Sequence, residues 1–352
     1  MLDGKNITIT GGTGSLGKVL VRRILSGEVG IPERVLILSR DEAKQHEMRL
    51  SYQHPTTSTD EIVYNNFRQL LQFQIGDVRN STDVVRAVRG ADIVVNAAAL
   101  KQVPSCEYFP EQAIFTNCLG AVNVCESIRT LDYAVDVVVG VSTDKACKPV
   151  NVMGMTKAVQ ERVFCAANIE STHTRFVTVR YGNVLASRGS VIPLFLEQLR
   201  RGGPLTITDS RMTRFLLSLD EAVDTVFAAI RDARPGETFV PRCPSAMVTD
   251  IAVALIGAAA IRTEVTGIRP GEKLHEILIS EEEMRHVRRS GGFLAIVPML
   301  PELSGHTLSE QLGYEFSSAT SPLALSEVSA LLERHQLLPA QAPIGHEQEL
   351  LR

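Results

Sequence analysis

The chain has 352 residues, of which 44% are hydrophobic, so it is able to bury a large core in one big domain or two linked ones. A formal net charge of −4 is untypical of proteins that bind nucleic acid or anionic membranes, and we expect neither partner. No apolar run approaches the roughly 18–20 residues that span a bilayer, and the six cysteines contain no Cys-x-x-Cys pair, so we expect a cytoplasmic protein with reduced thiols and no metal site.

Short runs rich in Val and Ile alternate with helical patterns through the first half of the chain. The segment SLGKVLVRRILSG has apolar residues at helical spacing and a glycine at its end, which predicts a helix. Strand and helix in alternation indicate an α/β fold with a doubly wound parallel sheet. Six strands are predicted, at residues 6–10, 34–39, 71–77, 91–99, 135–143 and 175–182.

Three regions are expected along the chain. Residues 1–183 form the dinucleotide-binding domain, with a polar surface insertion at 51–67. From residue 184 the alternation breaks down into pieces punctuated by Gly and Pro, which indicates a smaller α/β substrate lobe at 184–285. Whether part of that lobe returns to the first domain is left open. Residues 286–352 are expected to form a C-terminal extension and are a candidate for an oligomer contact.

The turn after the first predicted strand reads TGGTGSLG. A tight turn and a close backbone approach need glycine, and the N–H groups at a helix N-terminus are free to bind a pyrophosphate. Between a strand and an amphipathic helix the pattern predicts a dinucleotide site, although glycines alone would also suit a plain turn. The predicted cofactor contacts in this turn are Gly11, Thr13, Gly14, Ser15, Leu16 and Gly17.

The end of the second strand distinguishes NAD from NADP, because an acidic residue there binds the ribose hydroxyls and repels a 2′-phosphate. The chain has Ser39 and Arg40 at this point, with Lys44 one turn further along. Arginine binds phosphate through a bidentate, charge-assisted pair of hydrogen bonds. NADP is therefore the predicted cofactor and NAD the less favoured one. Asp41 lies close by, and a solvated surface arginine is the alternative interpretation of Arg40.

Two later strand ends are also expected to contact the cofactor. The third predicted strand is followed by Asp77 and Val78, which would lie near the adenine. The fourth ends in a run of small residues that lets the cofactor pass close to the backbone, and its expected contacts are Ala97, Ala98 and Ala99.

The segment VSTDKACKPVNVMGMTK follows the fifth predicted strand, at the sheet edge where open α/β folds bind ligands. It places an acid and a base side by side, Asp144 and Lys145, and a second lysine, Lys157, on the following helix. Met153 stands four residues before Lys157, where many nicotinamide enzymes have a tyrosine acid/base, and a thioether does not exchange protons usefully. A loop ion pair and a solvent-facing helix lysine are the alternative interpretations.

The chain resembles a known family at this point: its sequence is similar to the extended short-chain dehydrogenase/reductases, and most of all to the UDP-N-acetylglucosamine 4,6-dehydratases that invert C5. One branch of that family resembles this chain in having Met-Gly-x-Ser/Thr-Lys where relatives have tyrosine, so the methionine does not imply an inactive enzyme. The resemblance covers about residues 4–285 and rests on GGTGSLG, SRDEAKQ, GDVR, AAALKQVPSCEYFP, STDKA, MGMTK, RYGNVLASRGSVIPLF, PLTITDSRMTRF and RPGEKLHE.

The resemblance implies a redox-neutral reaction on a UDP-sugar for surface polysaccharide synthesis, by a homo-oligomer of two to six copies. NADP+ takes a hydride from C4, water leaves across C5 and C6, and the hydride returns to C6. Lys145 would be the base at C5 and Asp144 the acid at the C6 oxygen, which at neutral pH requires a lowered pKa for Lys145 and a raised one for Asp144. Lys157 would bond the nicotinamide ribose and Thr143 the C4 oxygen. The C4 proton would go to Lys157, to Asp144, or through Thr143 and water.

The resemblance also implies contacts to the nucleotide sugar. Arg214 and Arg269 match two phosphates in charge and geometry, with surface ion pairs as the alternative. The extended segment around Thr206 and Thr208 suits uracil pairing along the backbone. The other expected contacts are Lys101, for which a structural salt bridge is an alternative role, and Asn183, Arg188, Val191 and Glu272.

Two other functions remain open on the sequence alone. A UDP-sugar 4-epimerase shares the fold and the hydride step, but it does not need the Asp–Lys pair of STDK. A non-catalytic NADP-sensing protein would tolerate the missing tyrosine, but it would not need the sugar-nucleotide motifs.

Overall fold

The structure is a computed structural model that describes residues 1–53, 58–131, 134–185, 190–304 and 312–339. The strands are β1 (Asn6–Thr10), β2 (Arg34–Ser39), β3 (Leu71–Ile75), β4 (Ile93–Asn96), β5 (Val137–Thr143), β6 (Arg175–Tyr181), β7 (Leu205–Ile207), β8 (Thr213–Phe215), β9 (Thr238–Pro241), β10 (Ser245–Met247), β11 (Thr263–Val265), β12 (Ile277–Ile279), β13 (Val287–Ser290), β14 (Phe293–Ile296) and β15 (Phe316–Ser317).

The helices are α1 (Ser15–Leu25), α2 (Glu42–Ser51), α3 (Ser58–Leu70), α4 (Ser81–Val88), α5 (Val103–Tyr108), α6 (Pro110–Ala113), α7 (Gly120–Leu131), α8 (Val152–Glu170), α9 (Val191–Arg200), α10 (Leu219–Asp232), α11 (Val248–Ile256) and α12 (Leu325–Arg334). A π-helical turn spans Ile114–Leu119, and 3₁₀ turns span Asp144–Ala146 and Glu283–His286. Within the described residues, none of the helices is both long and apolar enough to cross a membrane.

Nine strands of the described chain form one sheet, in the order β13-β14-β9-β6-β5-β4-β1-β2-β3. The strands from β3 to β9 pair in parallel, whereas β14 and β13 add antiparallel neighbours at the edge. The six strands predicted from the sequence are β1 to β6. Their Val- and Ile-rich runs are buried in β1, β2, β4, β5 and β6, as expected for central parallel strands. The predicted doubly wound parallel sheet is confirmed.

Helices cover both faces of this sheet. On one face Leu20 of α1 and Val223 of α10 pack into the largest core cluster, and on the other Val84 of α4 and Phe164 of α8 form a second cluster. These residues lie on the apolar stripe of their helices, which the 3.6-residue period directs toward the sheet. The carboxyl ends of β1 to β6 remain open between the two helix layers.

The insertion expected at residues 51–67 is largely helical. Its residues 54–57 lie outside the described part of the chain, and α3 follows them directly. Val63 and Phe67 are 5% and 8% exposed and belong to the main core cluster, with the ring of Tyr52 centred 5.4 Å from that of Phe67. The segment is therefore anchored to the first domain by an apolar helix face, because its apolar residues recur at helical spacing within a polar sequence.

A smaller lobe has its own apolar core. Phe195 of α9 and Ile251 of α11 are fully buried there, together with Val328 and Leu332 of α12. Residues after 285, which we expected to form an extension, thus divide between the two units: α12 packs in the lobe, while β13 and β14 join the main sheet. Within the expected lobe, α10 packs on the large sheet and β9 is one of its strands, so the chain passes between the two units more than once.

Candidate active site

A cleft of about 1740 Å³ opens where the carboxyl ends of the central parallel strands face the smaller lobe. This volume exceeds the roughly 300–1,000 Å³ of a pocket for one small molecule. The cleft has the turn after β1 at one side and residues of the lobe at the other. It is large enough to hold a dinucleotide and a second nucleotide-sized ligand together.

Most of the residues predicted from the sequence line this cleft. Among the described residues, the predicted Asp77 and Asp144 do not line it, and Arg188 lies outside the described part of the chain. The predicted residues that line the cleft are Gly11, Thr13, Gly14, Ser15, Leu16, Gly17, Ser39, Arg40, Lys44, Val78, Ala97, Ala98, Ala99, Lys101, Thr143, Lys145, Lys157, Asn183, Val191, Thr206, Thr208, Arg214, Arg269 and Glu272.

The glycine turn fits a pyrophosphate. Gly11 has φ +69°, and a Cβ at this position would lie 2.7 Å from the Cα of Ala98. A Cβ on Gly17 would lie 2.5 Å from the Cα of Gly12. Gly14 caps α1 without a side chain, and the first turn of the helix has no acidic residue. The N–H groups at the start of α1 are therefore available to an anionic ligand that approaches the backbone closely.

The end of β2 offers two cations to the cleft. Arg40 is half exposed and its Nη1 lies 3.8 Å from Asp77 Oδ2, while the same carboxylate oxygen is 2.6 Å from Nη2 of Arg79. Asp41 accepts the backbone N–H of Lys44 at 3.0 Å and thereby caps α2. The backbone N–H of Lys44 and then its side chain, whose Nζ lies 3.0 Å from Asp41 Oδ2, lower the pKa of Asp41. The two nearby carboxylates are thus paired within the protein.

Lys145 is the centre of a charged cluster after β5. Its Nζ lies 3.0 Å from Asp144 Oδ1, 3.1 Å from Asn183 Oδ1 and 3.4 Å from Glu276 Oε1. Asp144 is fully buried and also accepts the hydroxyl of Thr143 at 2.8 Å, but its Oδ2 has no hydrogen-bond partner. Thr143 faces the cleft. The acid, the base and the hydroxyl predicted from STDK therefore form one connected group.

The electrostatic surroundings of Lys145 differ from those that the sequence led us to expect. Burial by itself lowers the pKa of a lysine, but the nearby carboxylates of Asp144 and Glu276 outweigh burial and raise the pKa of Lys145. The expected lowering of this pKa is wrong. The larger of the two raising effects comes from the adjacent Asp144, and Glu276, which lies 131 residues further along the chain, adds a second negative charge.

Lys157 is in the opposite situation. It is buried on α8, and its Nζ donates to the carbonyl of Val141 at 2.7 Å and to Oε1 of Gln160 at 2.8 Å. Burial lowers its pKa to about 8, against the weaker opposing effects of Glu161 and Cys118. Lys157 is thus the lysine whose protonation changes near neutral pH.

Met153 lies one helical turn before Lys157. It is 4% exposed, lines the cleft, and packs in a small apolar cluster with Cys106 and Ala113. The thioether therefore fills an apolar site beside the cleft. The thioether of Met153 has no proton to exchange and cannot replace an acid/base side chain.

The lobe side of the cleft contains the predicted sugar-nucleotide contacts. Arg214 Nη1 donates to the carbonyls of Thr213 and Leu274 at 2.7 and 3.1 Å, which orients its guanidinium. The N–H of Thr206 donates to Gln198 Oε1 at 3.0 Å, and the Thr206 hydroxyl accepts from Gln198 Nε2 at 2.7 Å. Because this N–H is already bonded, Thr206 does not offer the backbone donor to uracil that the extended segment suggested.

The remaining predicted contacts lie around the rim. Arg269 is exposed, and its backbone N–H donates to Glu272 Oε2 at 3.4 Å. The hydroxyl of Thr208 donates to Met212 Sδ at 2.9 Å. Lys101 is exposed at the cofactor side. These side chains share one cleft, although they come from distant segments of the chain.

A buried ion network beneath the cleft was not predicted from the sequence. Arg180 of β6 is 2% exposed; its Nη2 lies 2.6 Å from Glu161 Oε2, and its Nη1 lies 2.8 Å from Glu283 Oε2. Ser142, directly before the catalytic segment, donates to Glu161 Oε1 at 2.5 Å. An arginine inside the apolar strand RFVTVRYG was the available signal, since a buried charge needs a partner. The network joins β5, β6, α8 and the 3₁₀ turn at Glu283–His286 next to the segment that contains Asp144 and Lys145.

Comparison with known proteins places these features in a family. A family model described as "Polysaccharide biosynthesis protein" matches residues 7–297. The chain is 39% identical over 345 residues to the "UDP-N-acetylglucosamine 4,6-dehydratase (inverting)" of Campylobacter jejuni, covering 94% of this chain and 97% of the relative. It is 42% identical over 301 residues to the "UDP-glucose 4-epimerase" of Rickettsia akari, covering 84% of each chain.

Solved structures agree with this placement. The X-ray structure of Pen from Bacillus thuringiensis matches with a TM-score of 0.83 at 30% identity, covering 96% of this chain and 99% of Pen. DesIV of Streptomyces venezuelae, described as a dTDP-glucose 4,6-dehydratase with NAD and TYD bound, matches with a TM-score of 0.63 at 22% identity and covers 76% of this chain and 86% of DesIV, which shows the fold alone. The resemblance predicted from the motifs is confirmed. The chain belongs to the polysaccharide biosynthesis protein family.

Proposed function

We propose that the protein is an NADP-dependent UDP-N-acetylglucosamine 4,6-dehydratase that inverts C5 and forms a UDP-2-acetamido-2,6-dideoxy-hexos-4-ulose for surface polysaccharide synthesis. The observation that carries the proposal is the contact between Lys145 and Asp144, at 3.0 Å, beside a cleft that begins at a dinucleotide-binding turn. The relative of Campylobacter jejuni, matched over 94% of this chain, supports the choice of substrate.

When bound, the nicotinamide would supply the hydride-transfer chemistry that oxidation at C4 and reduction at C6 require. The side chains of the protein move the protons. Oxidation at C4 releases the proton of its hydroxyl, and Lys157 is the acceptor that the chemistry favours, because its pKa of about 8 is nearest to neutrality. This role does not need a tyrosine at the position of Met153.

Loss of water requires a base at C5 and an acid at the C6 oxygen. Lys145 faces the cleft and takes the C5 proton as the amine. Asp144 does not line the cleft, but its Oδ1 accepts the Thr143 hydroxyl at 2.8 Å, and Thr143 faces the cleft. The proton of Asp144 therefore reaches the departing hydroxyl through Thr143. A general acid and a general base each contribute roughly 10²–10⁴-fold to such a reaction.

The preference for NADP is supported by charge at the end of β2. Arg40 and Lys44 line the cleft there, and the carboxylate of Asp41 is used as a helix cap. A 2′-phosphate would meet two cations and no free acidic side chain among these residues. The neighbouring structure of DesIV is described with NAD, so the cofactor is a point on which this chain is expected to differ.

A UDP-sugar 4-epimerase is the second candidate, and the rickettsial relative named as one is 42% identical to this chain. An epimerase oxidises C4 and returns the hydride to the opposite face of the same carbon. It breaks no bond at C5 or C6 and does not need Lys145 and Asp144 as a pair. The buried contact between these residues therefore favours the dehydratase.

One experiment distinguishes the candidates. Purified protein with NADP+ is incubated with UDP-N-acetylglucosamine or with UDP-glucose in deuterated water, and the products are analysed by mass spectrometry and NMR. The dehydratase releases one water from UDP-N-acetylglucosamine and incorporates deuterium at C5. An epimerase produces the C4 epimer at unchanged mass, without deuterium at C5. Absence of both products from an intact, NADP-bound protein contradicts both enzymatic functions.

The same proposal includes self-association. The side chains of Tyr108, Phe109, Ile114 and Phe115 are 82%, 58%, 50% and 44% exposed on the surface formed by α5, α6 and the π-helical turn. An apolar patch of this kind is typical of an interface. Phe109→Glu is expected to reduce the mass measured by light scattering toward that of a single chain. An unchanged mass contradicts the use of this surface.

A further inference from the structure

Glu276 lies beside the proposed catalytic pair and has no role in the function described above. It directly precedes β12, lines the cleft and is 3% exposed. Its Oε1 is 3.4 Å from Lys145 Nζ, and its Oε2 is buried without a hydrogen-bond partner. A carboxylate with an unsatisfied oxygen is costly to bury, so a role in stability alone does not explain it.

The backbone of Glu276 is held by the C-terminal part of the chain. Its N–H donates to Ser318 Oγ at 2.9 Å, and its carbonyl accepts from the N–H of Ser318 at 2.8 Å. Ser318 is fully buried, and its hydroxyl is 2.6 Å from that of Thr213. Two residues after Glu276, the carbonyl of Leu278 accepts from Arg180 at 2.9 Å. The carboxylate is thus presented from a segment with little freedom to move.

Three charged groups act on Lys145. Asp144 comes from the same 3₁₀ turn, Glu276 from the segment before β12, and Arg214 from β8. Asn183, after β6, contributes a neutral oxygen. With Asp144, Lys145 and Glu276 all ionised, these three side chains sum to one negative charge, which the positive charge of Arg214 offsets. Two carboxylates around one ammonium exceed what a simple structural ion pair requires.

We propose that Glu276 is a positioning residue for the elimination step: it holds the ammonium of Lys145 at the moment when Asp144 is protonated. This inference rests on the proposed dehydratase function. Its basis is geometric, since Asp144 and Glu276 contact the same nitrogen at 3.0 and 3.4 Å.

The protons balance through the step. Transfer of one proton from Lys145 to Asp144 produces an amine and a carboxylic acid. The amine takes the C5 proton, and the C5–H electron pair moves toward the C4 carbonyl to form an enolate. Lys145 is now an ammonium and Asp144 is still neutral, so Glu276 is the carboxylate in contact with the new positive charge. The enolate then collapses, the C6–O bond breaks, and the proton of Asp144 leaves with the hydroxyl as water.

Glu276→Gln tests this role because it removes the charge and keeps the shape of the side chain. We expect the pKa of Lys145 to fall by about 1–3 pH units, the usual effect of losing an opposite charge at this distance. In a plot of the rate of water release against pH, the alkaline limb should move to lower pH by the same amount. The reason is that Asp144 and Lys145 then lose their shared proton at a lower pH. At neutral pH kcat should fall by roughly 10–10³-fold, with a much smaller change in KM.

Two further variants and one direct measurement accompany this test. Glu276→Asp retains the charge and is expected to recover much of the pKa and of kcat. Glu281→Gln removes an exposed carboxylate five residues away and is expected to behave as the wild type. The pKa of Lys145 is followed by NMR of ¹³Cε-labelled lysine in the full-length protein, with the signal assigned by Lys145→Arg.

The outcomes separate this inference from the proposed function. An unchanged pKa of Lys145 in folded Glu276→Gln contradicts the inference, whatever happens to kcat. So does a loss of kcat with the alkaline limb unmoved, which indicates a structural role only. If the wild-type protein releases no water from UDP-N-acetylglucosamine, the proposed function is wrong, and the NMR titration still decides whether Glu276 controls the charge of Lys145.

Discussion

Lys145 and Lys157 line the same cleft, yet their surroundings move their pKa values in opposite directions. Lys145 lies within 3.4 Å of two carboxylates, whereas the ammonium of Lys157 contacts a carbonyl and an amide oxygen. Burial disfavours the charged form of both. The comparison shows that the number of fixed negative charges nearby, and not burial alone, decides whether a cleft lysine remains protonated.

In the mechanism that we propose, this difference gives the two lysines different tasks. Lys145 is held as an ammonium and would become a base only by transferring its proton to a neighbour, so its proposed reactivity depends on the carboxylates. Lys157 has a pKa of about 8 and exchanges a proton without such a partner. This explains how an active site with Met153 in place of an acid/base residue retains a group that titrates near neutrality.

The largest effect is expected from Lys145→Met. The variant should bind both ligands but lose C5 deuterium exchange and water release by ~10²–10⁴-fold, because no base remains at C5. It should also unfold more easily, by about 3 kcal/mol, since Asp144 and Glu276 are left without their shared cation. NMR detection of deuterium at C5 and denaturant unfolding measure the two effects.

Lys148→Met is the matched control for that substitution, because Lys148 is half exposed and pairs with Glu315 at the surface. We expect it to have nearly wild-type exchange. Near-normal C5 exchange in folded Lys145→Met would refute the role of Lys145 as base and remove the distinction between the two lysines.

Lys145→Met is expected to destabilise the folded protein, whereas Lys157→Met is expected to stabilise it at neutral pH by removing a buried charge. The pKa of Lys157 is about 8 in the folded protein and 10.5 for an ordinary lysine, so between these pH values the unfolded chain binds more protons. Wild-type stability therefore rises with pH across that window, and the cost of the buried charge is complete below it. The free energy of unfolding of Lys157→Met minus that of wild type should therefore be about 2 kcal/mol larger at pH 7 than at pH 10.

Denaturant unfolding of the cofactor-free proteins across this pH range measures the difference. Lys148→Met again serves as the exposed control and should show little pH dependence relative to wild type. A constant difference between Lys157→Met and wild type at every pH would show that Lys157 is charged throughout, as Lys145 is.

Arg40→Ala extends the comparison to a cation that is half exposed and paired only at 3.8 Å. The charge of Arg40 is therefore available to a ligand. We expect the affinity for NADP to fall by roughly 10–100-fold, because a charge-assisted hydrogen bond contributes about 1.5–3 kcal/mol. The affinity for NAD, which has no 2′-phosphate, should change little. Fluorescence titration with both cofactors measures this, and Arg49→Ala, on the following helix α2, is the control. Equal losses for both cofactors would contradict the NADP assignment.

The smallest effect on activity is expected from Met153→Ala. The thioether takes no part in proton transfer, so most of the rate of water release should remain, although the cavity should cost about 2 kcal/mol of stability. Met155→Ala, on the same helix but 50% exposed, should leave both properties nearly unchanged. If folded, cofactor-bound Met153→Ala has no activity, proton transfer by Lys157 depends on the side chain of Met153.

Almost all of the residues predicted to contact the cofactor line the cleft. The glycine turn, the end of β2 and the alanines after β4 each lie directly after a parallel strand, so local sequence determines both their conformation and their place at the sheet edge. Asp77 is the exception: it follows β3 as predicted, but its carboxylate binds Arg79 and does not line the cleft. A side-chain partner two residues away decided its orientation.

The sequence by itself determined the parallel sheet, the dinucleotide turn, the Asp144–Lys145 pair and the position of Lys157, because hydrophobic period, glycine geometry and strand order are local or nearly local properties. Only the tertiary structure decided the charges that surround Lys145. Glu276 comes from a remote segment fixed by Ser318, and the buried network around Arg180 joins β5, β6, α8 and the 3₁₀ turn at Glu283–His286. A pKa is set by every charge within a few ångströms, and such distances exist only once the chain has folded.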